Sequence, residues 1–172
     1  GNVNPSGKIA ETYPLDLSDT PTYGNFPGGP VVAEHKESVY VGYRYYDTAE
    51  KDVLFPFGHG LSYTKFESSE LKIRKSNPNP NGGDDDDDDD DDLSNVKDTD
   101  VLDVSFKIKN IGGFDGSEIA QIYVTDKEST IFRPIKELRA FKKVFLKAGE
   151  VKEVTVHLNK RSFAYYNVNI ND

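Results

Sequence analysis

The chain has 172 residues, no Cys, Met or Trp, and 30 acidic against 21 basic side chains, for a formal net charge of −9. Nine of the acids form one run, Asp84 to Asp92; without it the count is 21 against 21, so the acidity belongs to one segment. A general acidic field for steering cationic partners and a basic nucleic-acid footprint are both excluded, as are a disulfide framework, a thiolate nucleophile and a Cys-based metal site.

No apolar run approaches the roughly 18 residues a membrane span needs. A chain that opens Gly1-Asn2-Val3, with no Met anywhere, reads as cut from something larger, so its compartment is not readable. Its length suits one domain, or one domain with a piece of another.

Residues 1–66 are rich in Tyr, Phe, Pro and Gly and show little sustained periodicity. Leu61 to Lys75, carrying Leu71 and Ile73, is the first strand expected of a β unit. Residues 76–98 are of low complexity: Pro, Gly and Asn precede the Asp run, adjacent like charges repel, and little is available to bury. A solvated, disordered insertion is expected there. Val101 to Lys109 then alternates strictly, with Leu102, Val104, Phe106 and Ile108 on one face and Asp103, Ser105, Lys107 and Lys109 on the other, which predicts a half-buried strand. Asn110 to Gly116 reads as a turn, and Ile119 to Val124 as a more apolar and therefore central strand. Ile131, Ile135, Leu138 and Phe141 recur at helical spacing, but Arg133 precedes Pro134, which favours an extended segment over a helix from about 129 to 141. Lys142 to Leu146 and Val151 to Leu158 are two further strands joined by a hairpin turn at Ala148-Gly149-Glu150, and Ser162 to Val168 is the last candidate. About six short strands at these spacings predict an antiparallel sandwich.

Few residues carry a chemical signature. Glu11, Asp16, Asp19, Glu34 and Asp47 offer carboxylates, yet nothing selects an acid and nucleophile pair of the kind glycoside hydrolysis needs. His35, His59 and His157 lack ligand spacing, Ser62 lacks a nucleophile elbow, and Gly58-His59-Gly60 lacks the third glycine of a phosphate loop. Nine consecutive Asp residues have neither the spacing nor the turn glycine of a calcium loop. No metal site and no cofactor are expected. The distinctive signal is aromatic: Tyr40, Tyr43, Tyr45, Tyr46, Phe55, Phe57, Tyr63 and Phe66 lie close together in sequence. Such residues stack on sugars, and they also fill cores and interfaces; packing is the reading favoured by the residues alone.

Gly42-Tyr43-Arg44-Tyr45-Tyr46-Asp47, followed by Leu54-Phe55-Pro56-Phe57-Gly58-His59-Gly60-Leu61-Ser62-Tyr63-Thr64, resembles the C-terminal region of family 3 glycoside hydrolases of the β-glucosidase type. Gly7-Lys8-Ile9-Ala10-Glu11-Thr12-Tyr13-Pro14 is similar to a segment upstream of it in those enzymes. Asn110 to Gly116, Gln121-Ile122-Tyr123-Val124, Pro134 to Val144 and Leu146 to Glu150 resemble their fibronectin type III-like domain. The resemblance covers nearly the whole chain outside 76–98, and several motifs in order make it specific.

The resemblance implies a mainly β fold: an antiparallel fibronectin type III-like (immunoglobulin-like) β-sandwich over 61–172, with the acidic insertion at 76–98. A largely irregular remnant of an α/β sandwich domain, plus linker, precedes it over 1–60. Both catalytic carboxylates of the family belong to upstream domains, so no catalytic residue is expected in this chain. Its function is then non-catalytic scaffolding and domain docking in a retaining β-glucosidase-type enzyme. The intramolecular partners would be the catalytic barrel and the α/β sandwich domain, and carbohydrate would be the substrate of the parent; neither nucleic acid nor membrane is expected. Tyr43, Arg44, Tyr45, Tyr46, Asp47, Phe55, Phe57 and His59 are the candidates for domain docking or sugar contact, with Arg44 and Asp47 as a local ion pair. The alternative is a stand-alone module that binds carbohydrate or calcium. Two departures stand out: the Asp run sits where the family has a short connection, and the chain stops where the family continues with a further strand, which would leave an exposed edge.

Overall fold

The computed structural model describes residues 1–76, 93, 96, 97 and 99–166. The Asp run, and the expectation of a disordered insertion there, lie outside the described residues, as do residues 167–172. The chain forms two compact units, one of Gly1–Pro5, Ser62–Val124 and Leu138–Asp172, the other of Ser6–Leu61 and Thr125–Glu137. Its regular elements in order are β1 (Tyr13–Pro14), a six-residue helix α1 (Tyr43–Thr48), β2 (Val53–Phe55), β3 (Phe66–Lys75), β4 (Leu102–Asn110), β5 (Gly116–Val124), β6 (Glu137–Leu146) and β7 (Val151–Leu158).

In the first unit, β3, β4 and β7 form a three-stranded antiparallel sheet in that order, and β5 pairs with β6 in a second sheet. The alternation of β4 determines its facing: Val104, Phe106 and Ile108 are buried, while Lys109 is exposed. Across the ladder Val104 opposes Val156 and Phe106 opposes Val154. Ala120, Ile122 and Val124 of β5 and Ala140, Val144 and Leu146 of β6 pack against the same cluster from the other sheet. Two apolar faces meeting in this way make a sandwich, the fold the alternation predicts.

Three local expectations need correction. Ile119 to Val124 is not a central strand, because β5 has only β6 beside it among the described residues and β4 holds the centre of its sheet. The apolar residues of β5 reflect packing across the sandwich and not a place in the middle of a ladder. Ala148-Gly149-Glu150 is a tight turn, with Gly149 at φ +78°, but not a hairpin, since β6 and β7 belong to different sheets. It is a corner that carries the chain from one layer to the other. Ser162 to Tyr166 is not a strand: Lys160–Ser162 is a single 3-10 turn, and Ser162 and Phe163 donate their backbone N–H groups back to Asn159 and Lys160. By contrast, 129–136 carries no helix, and strand β6 begins at Glu137, in keeping with the constraint from Pro134.

Asn110, at the end of β4, is fully buried. Its carboxamide oxygen accepts from the Thr64 hydroxyl at 2.6 Å and from Gly112 N–H at 3.1 Å; its amide donates to Phe114 O at 2.8 Å and Leu146 O at 3.3 Å. Its backbone N–H donates to Glu150 O, and its carbonyl accepts from Gly149 N–H. One side chain thus joins the entry to β3, the turn after β4 and the corner after β6. A Cβ on Gly112 would lie 2.2 Å from the Thr64 hydroxyl, so this turn admits only glycine.

Asn110→Ala strands the Thr64 hydroxyl and the Leu146 carbonyl in the interior. Equilibrium urea unfolding should show a loss of about 2–4 kcal/mol, since each buried group left unpaired costs about 1–3 kcal/mol; a loss within error would refute the role given to this side chain. At the corner, the Glu150 carboxylate accepts from Lys147 N–H at 2.6 Å, and that bond holds its pKa below the ordinary value of 4.5. The stabilisation is present above the ordinary glutamate value and is lost as pH falls through the lowered folded-state value. Thermal melts from pH 6 to pH 3 should therefore show a shallower acid loss for Glu150→Gln than for the parent chain.

Candidate functional site

The second unit is built around α1. The helix starts after Gly42, at φ +55°, and turns Tyr43 and Tyr46 inward, 8% and 4% exposed. The Tyr43 ring packs on Phe57 with centroids 4.9 Å apart, and the Arg44 guanidinium lies 5.4 Å from the centre of the same ring. Tyr45 meets Tyr46 edge-on at 5.1 Å, and Tyr13 meets Phe55 edge-on at 6.2 Å, in the two-stranded β1–β2 pair. His59 lies against Phe55 at 5.0 Å. Ile9 N–H donates to His59 O and Gly58 N–H to Ile9 O, so the Gly58-His59-Gly60 loop pairs with the segment before β1. A Cβ on Gly60 would stand 2.3 Å from Gly7 O, which makes this glycine a point of close backbone approach.

Arg44 and Asp47 do not pair with each other. Arg44 meets Glu137 at 3.6 Å and Asp47 meets Lys136 at 3.1 Å. Arg133 bonds Asp126 at 2.9 Å and Glu137 at 3.2 Å, and Ile135 N–H donates to the Thr48 hydroxyl at 3.2 Å. Two consecutive residues of the 125–137 segment, Lys136 and Glu137, thus offer each helix charge an opposite partner, which outcompetes the local pair. Asp126, Arg133, Lys136 and Glu137 are the residues sequence reasoning missed. Each is an ordinary surface-type residue more than 75 positions from α1, so no spacing rule could have found them.

These charges form a clasp between α1 and the 125–137 segment. Asp16 is held below the usual carboxylate range by hydrogen bonds from the Ser18 backbone and hydroxyl. A general acid needs the opposite displacement. The other two histidines meet single carboxylates, His35 with Glu37 at 3.5 Å and His157 with Asp103 across the β4–β7 ladder. Among the described residues no group of three or more His, Asp or Glu gathers to hold a metal. Nor, among them, is any helix long and apolar enough to cross a membrane.

The pattern of the family described as "Fibronectin type III-like domain" matches residues 118–172. Over all 172 residues the chain is 51% identical to a thermostable beta-glucosidase B of Acetivibrio thermocellus and 39% identical to an exo-alpha-(1->6)-L-arabinopyranosidase of Bifidobacterium breve; in each case it spans 20% of the relative. Among solved structures, a GH3 beta-glucosidase of Bifidobacterium adolescentis superimposes with a TM-score of 0.82 at 38% identity, covering 100% of this chain and 22% of that one. Beta-glucosidase 3B of Thermotoga neapolitana, in complex with glucose, gives 0.78 at 37% identity, covering 97% and 21%. The chain accordingly spans about a fifth of the length of the proteins it matches. Fold, motifs and whole-chain identity converge: over its whole length this chain matches the C-terminal region of family 3 glycoside hydrolases of β-glucosidase type, and residues 118–172 match a fibronectin type III-like domain.

Proposed function

We propose that the chain is the non-catalytic scaffold and domain-docking region of a retaining β-glucosidase-type enzyme that removes terminal β-linked sugars. Residues 1–60 are then the tail of an α/β sandwich domain with its linker, and 61–172 the fibronectin-like sandwich interrupted at 76–98. The catalytic barrel and the rest of the α/β domain are its intramolecular partners. Both catalytic carboxylates belong to those domains, and carbohydrate reaches the parent enzyme there. The observation that carries this reading is the use made of α1. Its buried tyrosines pack within their own unit, and its charges are matched by the 125–137 segment, so the candidate residues of α1 are engaged in packing and ion pairs. The relatives support the same view. A beta-glucosidase and an arabinopyranosidase share this region at similar coverage, as expected if it does not set sugar specificity.

Purified chain should not turn over aryl β-glucosides, and co-expression with the upstream domains should restore activity. Hydrolysis by the isolated chain above the level of a mock purification would refute the proposal. The clasp makes its own prediction: a double-mutant cycle of Arg44→Ala with Glu137→Gln should give a coupling energy of about 1 kcal/mol that shrinks in high salt. Coupling indistinguishable from zero at low salt would show that Arg44 and Glu137 do not brace α1.

A further inference from the structure

We draw no further inference here: the strongest candidate, the exposed row of Phe141, Lys143 and Phe145 on β6, is an apolar face with a basic residue in it, and nothing in the structure shows what covers it.

Discussion

The sandwich closes around a polar group. Asn110 sits where three chain reversals converge, and its carboxamide serves each of them with a hydrogen bond that water cannot supply in the interior. A buried amide is tolerated only when nearly all of its bonding capacity is used. That condition fixes the position of Thr64 before β3, of Phe114 in the turn after β4 and of Leu146 at the end of β6. The glycine at 112 follows from it, because the Thr64 hydroxyl occupies the space where a side chain would begin. The apolar faces of β4, β6 and β7 supply most of the driving force for burial, but burial is non-directional. The Asn110 network supplies the directionality.

A related logic operates in the second unit with charge in place of amide bonds. α1 is six residues long, too short to be stable by propensity alone, so packing and partners from elsewhere must hold it. Tyr43 and Tyr46 supply the packing. The 125–137 segment supplies the partners, through Lys136 to Asp47, Glu137 to Arg44, and an arginine that bridges Asp126 and Glu137. Arg133 is well suited to that bridging place, since its planar fork can engage two carboxylates at once, which a lysine ammonium does less precisely. The same segment also brings Phe132 onto Tyr40.

Local rules read the sequence well wherever one strand could be taken by itself. The alternation in Leu102 to Ile108, the block on helix formation at Pro134 and the turn at Gly149 all reach the structure as expected. The errors concern pairing. Ile119 to Val124 is as apolar as a central strand would be, yet lies beside one neighbour. Gly149 makes a turn that the eye completes as a hairpin although its two strands enter different sheets. Ser162 to Tyr166, the described part of the last expected strand, carries the end of a 3-10 turn and irregular chain instead. Periodicity reports which face of a strand is buried, and carries no information on which strand lies alongside.

The sequence by itself determined the class of the fold and the family, because strand alternation and ordered motifs are properties of contiguous residues. It also located the aromatic segment 40–66 and the absence of metal or nucleophile patterns. Tertiary structure decided what those residues do. Only the folded chain shows Tyr43 and Tyr46 turned inward, Arg44 and Asp47 matched to residues some ninety positions away, and Phe132 stacked on Tyr40. The physical reason is range: a backbone preference acts over a few residues, whereas an ion pair, a stacked ring or a buried amide is specified only once distant segments are brought within a few ångströms.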